Sequence, residues 1–344
     1  MKKAIITGVG GQDGSYLAEL LLNKGYEVHG LIRNLSNQKT IWLQNIIDNK
    51  NLYLHDGNIN KTTDIKDLIH NINPQEIYNL AAESDAQVSF IEPEETSNTI
   101  AFGPVRILES IKILNKINEI KFYQAGSAEM FGHAQEIPQS ETTPFHPLSP
   151  YGCAKVYAYW MARTYREKYG MYAVNGILFN HESPRRRIEF VTKKITNALY
   201  NISINKESEL ILGNLNAKRD WGHAIDFVEA MWLMLQQNSA DDYVIATGVQ
   251  HTVKEFAEKC CKIFGIDLEW QGEEINEVGI NKETGKTIIK VSSELFRPLE
   301  MRSLSANCSR AEYVLGWKPR ISFDELIIDM CNFEKNMSNH GNNC

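Results

Sequence analysis

The stretch Thr7-Gly8-Val9-Gly10-Gly11-Gln12-Asp13-Gly14 decides how this chain is read. It follows an apolar, strand-like Ala4-Ile5-Ile6 and precedes a helix-like run over residues 15–22. Gly8, Gly11 and Gly14 stand three apart, so the backbone can turn sharply and bring N–H groups against a pyrophosphate. The helix N-terminus behind the loop favours those negative charges. A glycine triplet by itself also describes a flexible turn. The order strand, loop, helix is what gives the dinucleotide reading, with Gln12 and Asp13 as loop contacts beside the three glycines.

A second strand-like run, residues 27–32, leads to the position that reads the adenosine ribose. An acidic residue there accepts from the 2′-hydroxyl of NAD, whereas a cation suits the 2′-phosphate of NADP. The chain has Arg33, with polar Asn34 and Ser36 after it, which favours NADP over NAD. A solvated surface arginine is the bland alternative.

Further strand patterns lie at residues 52–55, 76–80, 121–125 and 173–179, with amphipathic stretches at 62–71 and 105–114 between them. That alternation predicts an α/β protein with a doubly wound, Rossmann-type parallel sheet covered by helices on both faces. Leu80-Ala81-Ala82 closes the fourth strand with small residues suited to a sheet end facing a cofactor. The second half is less regular and predicts a smaller, mixed, C-terminal substrate-binding domain. Residues 226–237 read as a helix, and Thr252-Val253-Lys254-Glu255 and Ser322-Phe323-Asp324-Glu325 as capping boxes opening two more. Gly265 is a stop for the first of these, residues 272–285 read as polar loop, and residues 338–344 as a mobile tail. The expected cofactor domain is residues 1–180 with about 219–250. The expected nucleotide-sugar domain is 181–218 with 251–337.

The chain has 344 residues, 43% hydrophobic and 23% charged, which allows two domains and an ample core. Its net charge of −7 argues against a general polyanion binder such as a nucleic-acid protein. No apolar run is long enough to span a bilayer, and the N-terminal one is too short for a signal peptide. A cytoplasmic enzyme is the expectation. The six cysteines show no metal-like spacing, so reduced structural thiols and no metal site are expected.

Ser149-Pro150 marks a helix start, after which Tyr151 and Lys155 fall four apart on one face. An ammonium beside a phenol lowers the phenol pKa and makes a usable base near neutrality. Gly126-Ser127-Ala128-Glu129 follows the fifth strand, at the sheet end where such folds bind ligands. Ser127, Tyr151 and Lys155 form the triad pattern of the short-chain dehydrogenase/reductase superfamily. Glu129 adds a base, which suggests elimination in addition to hydride transfer.

Longer blocks carry a more specific resemblance. Phe122-Tyr123-Gln124-Ala125, Glu129-Met130-Phe131-Gly132 and Gln135-Glu136-Ile137-Pro138-Gln139 resemble successive blocks of the GDP-mannose 4,6-dehydratase family. So do residues 175–186, ending Asn180-His181-Glu182-Ser183-Pro184-Arg185-Arg186, and residues 213–223, including Asn216-Ala217-Lys218-Arg219-Asp220-Trp221. The similarity runs from about Lys3 to Phe333. It implies catalytic roles for Ser127, Glu129, Tyr151 and Lys155, with serine standing where the family has threonine. Adenine contacts are implied at Asn58 and Ile59, in Gly57-Asn58-Ile59 where the family has Gly-Asp-Leu. A cofactor or sugar rim is implied at Ala82-Glu83-Ser84-Asp85, where the family has Ala-Gln-Ser-His, with Ser84 touching both. His181 and Arg186 are implied beside the cofactor. Arg185, Lys194, Lys218, Arg219 and Arg297 are implied around the GDP diphosphate, and Asn180, Val191, Gly213 and Glu300 at base, ribose and sugar. Asn34 replaces a second arginine and Arg187 a glycine, and Arg187 receives no ligand role.

The resemblance implies a lyase that oxidises C4 of a GDP-manno sugar, eliminates water across C5 and C6, and returns the hydride to C6. A homodimer or homotetramer is implied, with residues 34–40 at a subunit contact. Ser127 and Ala128 each lack a group that the family has, and Asp85 is smaller than histidine. These reductions narrowly favour a substrate with a C6 substituent, GDP-D-glycero-D-manno-heptose, over GDP-D-mannose. A nucleotide-sugar 4-epimerase is the nearest rival, and a non-catalytic nucleotide-sugar or NADP-binding protein the more distant one.

Overall fold

The computed structural model describes residues 1–35, 40–296 and 305–341, and side chains as far as residue 337. The chain runs β1 (Lys3–Thr7), α1 (Gln12–Asn23), β2 (Glu27–Ile32), β3 (Leu52–Asp56), α2 (Thr62–Ile72), β4 (Glu76–Asn79), α3 (Val88–Ile91), α4 (Pro93–Ser97), α5 (Gly103–Ile113), β5 (Lys121–Ala125), α6 (Pro150–Tyr169) and β6 (Ala173–Leu178). It continues β7 (Asn180–Glu182), α7 (Val191–Ser203), β8 (Leu210–Leu212), β9 (Lys218–Arg219), β10 (Trp221–His223), α8 (Ala224–Gln236) and β11 (Asp242–Ile245). Last come β12 (His251–Thr252), α9 (Val253–Ile263), β13 (Leu268–Gln271), β14 (Val278–Asn281), β15 (Lys286–Val291) and α10 (Phe323–Gly341).

Two compact units result. The first takes Met1–Phe179, Ala224–Ala246 and Ala306–Lys318. Its sheet is all parallel, in the order β11-β6-β5-β4-β1-β2-β3. β1 shows why the sheet is buried on both sides. Ala4 and Ile6 pack with Leu17 and Leu21 of α1 and Phe227 and Met231 of α8, while Ile5 packs with Ile65 and Ile69 of α2 and Ile107 of α5. The strand order reverses between β1 and β4, which opens a crevice at their carboxyl ends.

The sequence reading did not include β11. It is only four residues long and begins with an acid, so it carries little strand signal. Its Asp242 is held by Arg166 through Nη1 at 2.9 Å and Nη2 at 2.8 Å, by the Asn175 amide at 2.8 Å and by the Tyr159 hydroxyl at 3.0 Å. Burial pushes the Asp242 pKa up, but Arg166 and the other donors outweigh it and leave it below the ordinary carboxylate value. A depressed folded-state pKa gives stability above the unfolded value, lost as pH falls through the acid range. Asp242→Asn is expected to cost about 2 kcal/mol at neutral pH in urea unfolding, with the gap closing toward acid.

Residues 306–318 were expected in the second domain, yet they pack in the first unit. The Trp317 indole donates to the Asp226 carbonyl at 2.8 Å and lies edge-on to Phe227, while Arg310 pairs with Asp241 at 2.9 Å.

The second unit takes the described residues of Asn180–His223, Thr247–Ser305 and Pro319–Cys344. A four-stranded sheet, β13-β14-β15-β8, shares a core with α7, α9 and α10 around Leu199, Phe256, Ile289, Leu326 and Met330. Ser322 and Glu325 cap one another reciprocally, while Thr252 Oγ1 accepts from the Glu255 amide at 3.0 Å and the Glu255 carboxylate meets His251 Nδ1 at 3.0 Å. The expected loop at 272–285 is instead largely a β-hairpin: β14 pairs with β15 in register Val278 with Lys290, and Gly285 turns at φ +66°. Single apolar residues between polar ones hid the strand. α10 continues to Gly341, so the helix runs into the first residues of the expected tail. Among the described residues Cys153, Cys260, Cys261, Cys308 and Cys331 are free thiols, and no helix is long and apolar enough to cross a membrane.

Candidate active site

Gly8 has φ +73°, and a Cβ there would lie 3.0 Å from the Ala81 amide nitrogen, so the loop passes directly against the chain leaving β4. At Gly14 a Cβ would fall 2.2 Å from the Gly8 carbonyl oxygen. Glycine is therefore required by close approach at the first turn of α1, as a pyrophosphate cradle demands. Gly14→Ala is expected to weaken nicotinamide dinucleotide binding at least about tenfold, read by titration of the nucleotide-free protein.

Beneath the loop lies a hydrogen-bonded chain that the sequence reading did not foresee. Thr7 Oγ1 accepts from the Leu80 and Ala81 amides, both at 3.2 Å, and donates to Asn79 Oδ1 at 2.7 Å. Asn79 Nδ2 donates to Gln124 Oε1 at 2.8 Å, and Gln124 Nε2 to the Ala125 carbonyl at 2.9 Å. The same carbonyl accepts from Lys155 Nζ at 2.8 Å. Thr7, Asn79 and Gln124 are each at most 2% exposed. A buried polar residue at or next to the carboxyl ends of β1, β4 and β5 was the available signal.

Ser149 caps α6, accepting from the Gly152 amide at 3.0 Å with Pro150 in the first turn. The Lys155 ammonium consequently lies 5.6 Å from the Tyr151 ring centre. The Tyr151 amide donates to Ser89 Oγ at 3.2 Å, and its side chain packs with Ile100, Ala101 and Ala154. Burial lowers the Lys155 pKa to about 8, opposed by the charge of Asp13. Asp13 also accepts from Gln12 Nε2 at 3.0 Å. Ser127 follows β5, and its Oγ accepts from the Glu129 amide at 3.2 Å. The first turn of α6 abuts that segment: a Cβ at Gly152 would stand 2.9 Å from the Glu129 carbonyl oxygen. Ser127, Glu129, Tyr151 and Lys155 thus gather at the carboxyl end of β5.

Arg33 follows β2, and its guanidinium pairs with Glu95 of α4 at 3.3 Å. That carboxylate had no part in the sequence reading. The Asn58 amide donates to Asp64 at 3.0 Å, and Ile59 is buried against the start of α5 at Gly103. Leu80, Ala81, Ala82 and Ser84 lie on the segment that leaves β4, partly exposed. The expected room near C6 finds no support here. Ala128 is buried, and Asp85 accepts from the Gln87 amide of its own loop at 2.8 Å.

In the second unit, β7 and β10 set Asn180 opposite Trp221 and His181 opposite Gly222. Arg185 lies in the turn after β7, where its amide donates to Ser183 Oγ at 3.1 Å. Arg186 is occupied within the unit: it pairs with buried Glu182 at 3.1 Å and stacks on Phe190 at 3.5 Å. Val191 opens α7, where burial lowers the pKa of Lys194. Lys218 and Arg219 form β9, paired with β12. Gly213 has a packing reason, since a Cβ there would lie 2.5 Å from the Leu295 carbonyl oxygen. Arg297, Glu300 and residues 36–39 fall outside the described residues.

The fold is one that solved nucleotide-sugar enzymes share. The dTDP-glucose 4,6-dehydratase of Bacillus anthracis, solved in complex with NAD, superposes with a TM-score of 0.81 at 20% identity, covering 98% of each chain. The family profile for GDP-mannose 4,6 dehydratase matches residues 5–330. The GDP-mannose 4,6 dehydratase of Cricetulus griseus is 50% identical over 96% of this chain and 90% of its own length. That of Homo sapiens is 49% identical over 95% and 90%. This chain belongs to the GDP-mannose 4,6-dehydratase family.

Proposed function

We propose that the protein dehydrates GDP-D-mannose to its 4-keto-6-deoxy product, with the first unit holding NADP and the second the nucleotide sugar. The observation that carries this reading is the convergence of Ser127, Glu129, Tyr151 and Lys155 at one strand end, beside a glycine cradle that a single methyl would fill. Tyr151 takes the proton of the C4 hydroxyl, its phenol acidified by the Lys155 ammonium, while Ser127 donates to the C4 oxygen. A bound nicotinamide supplies the acceptor for the C4 hydride and its later donor to C6. The resulting ketone acidifies C5–H, which Glu129 removes. Glu129 then passes that proton to the C6 hydroxyl, which leaves as water. As hydride returns to C6 a proton returns to C5, balanced by the one that Tyr151 took from the C4 hydroxyl and now gives up.

NADP is proposed over NAD on Arg33, and GDP-mannose over the heptose on the buried Ala128 and the names of the curated relatives. The proposed compartment is the cytoplasm, and the proposed assembly a homodimer or homotetramer, which light scattering at micromolar concentration tests. Incubation with GDP-mannose and no added cofactor should yield a 4-keto-6-deoxy product. A 4-epimerised sugar, or no turnover, would overturn the reading. Mass spectrometry of nucleotide released on denaturation should find NADP(H), and GDP-mannose should exceed GDP-D-glycero-D-manno-heptose in kcat/KM.

A further inference from the structure

We infer that Glu95 sets the enzyme's cofactor selectivity by holding Arg33 in an ion pair and narrowing its preference for a 2′-phosphate. The inference rests on the reading that Arg33 faces the adenosine ribose, the position that follows the second strand of such a sheet. Glu95 Oε1 lies 3.3 Å from Arg33 Nη1 and accepts from Asn60 Nδ2 at 3.1 Å. Asn60 is fixed in turn by Thr99 Oγ1 at 3.1 Å, so the carboxylate is tethered from two sides. The β2 end lacks the acid that an NAD site uses, and α4 brings one to the same guanidinium from a distant part of the chain.

A carboxylate here acts in two ways. It occupies one of the donors that a 2′-phosphate would use, Arg33 Nη1, and it repels the phosphate dianion across a few ångströms of partly exposed space. Neither effect penalises NAD, whose 2′-hydroxyl carries no charge. The sequence pattern read from β2 alone predicts a one-sided NADP site. The ion pair gives a site that accepts both cofactors, with NADP moderately ahead.

The test is titration of NADP+ and NAD+ into nucleotide-free protein, for wild type, Glu95→Gln, Arg33→Ala and the double variant. Glutamine keeps the length of the side chain and an acceptor for Asn60, and the site is half exposed, so folding is preserved. Glu95→Gln is expected to tighten NADP+ about tenfold and leave NAD+ within about twofold, an effect that shrinks at high salt. In the Arg33→Ala background the gain should disappear. If Arg33→Ala lowers the NADP+/NAD+ ratio but Glu95→Gln leaves it unchanged, the role of Glu95 is overturned while the reading of Arg33 stands. If Arg33→Ala leaves the ratio unchanged, the reading of Arg33 itself is overturned, and the role of Glu95 with it.

Discussion

Glu129→Gln is expected to lower formation of the 4-keto-6-deoxy product by about two to four orders of magnitude, the usual weight of general acid–base help. Binding of the GDP-sugar should survive, because glutamine keeps the length of the side chain and the Glu129 amide keeps its bond to Ser127 Oγ. Oxidation at C4 should also survive, since Tyr151 and Lys155 are untouched. The check is single-turnover kinetics: a nicotinamide absorbance that rises on mixing with GDP-mannose and does not decay. Near wild-type product formation would remove Glu129 from the elimination step.

Lys155→Met is expected to separate stability from activity. Turnover should fall by about two to four orders of magnitude, because Tyr151 loses the cation that makes it a base. The nucleotide-free protein should nonetheless become more stable. The buried Lys155 titrates near 8 in the folded chain against an ordinary value of 10.5. Between these limits the unfolded chain holds a proton that the folded chain has released, so wild-type stability rises with pH across that window. Below about 8 both states are protonated, and the folded state bears the full cost of the buried charge. That difference of 2.5 pH units corresponds to about 3 kcal/mol at neutral pH, which the methionine should recover in large part. Thermal melts at pH 7 and pH 10.5 check both sign and window, and a destabilised variant at pH 7 would contradict the argument.

Most of the first unit was legible because its strands are continuous apolar runs separated by amphipathic helices. The glycine spacing and the Tyr151 and Lys155 pair are local signals, readable from a few neighbouring residues. What escaped were features that depend on distant partners. β11 owes its place to an acid satisfied by Arg166, Asn175 and Tyr159, all from other elements. Residues 306–318 return to the first unit through Trp317, whose indole partner lies 91 positions earlier. Glu95 reads as one more surface acid until the fold sets it against Arg33, 62 positions away. The hairpin at β14 failed for another reason: its apolar residues are too sparse to give a period.

The polar chain under the glycine loop has a direction. Thr7 already accepts from two backbone amides, so its hydroxyl proton must point to Asn79, which fixes the Asn79 oxygen on that side and its NH2 toward Gln124. Gln124 is fixed in the same sense by the carbonyl of Ala125 at its far end. Three successive donors therefore point one way, and their dipoles add head to tail across β1, β4 and β5. The positive end of that row, the Gln124 NH2, falls on the Ala125 oxygen, which also accepts from Lys155, so two donors share one carbonyl and fix its position. The strand ends thus carry a short row of aligned dipoles that terminates on the carbonyl holding the Lys155 ammonium. Transplanting the tyrosine–lysine pair to another scaffold would carry over the two side chains but leave behind the fixed carbonyl that holds the ammonium in place.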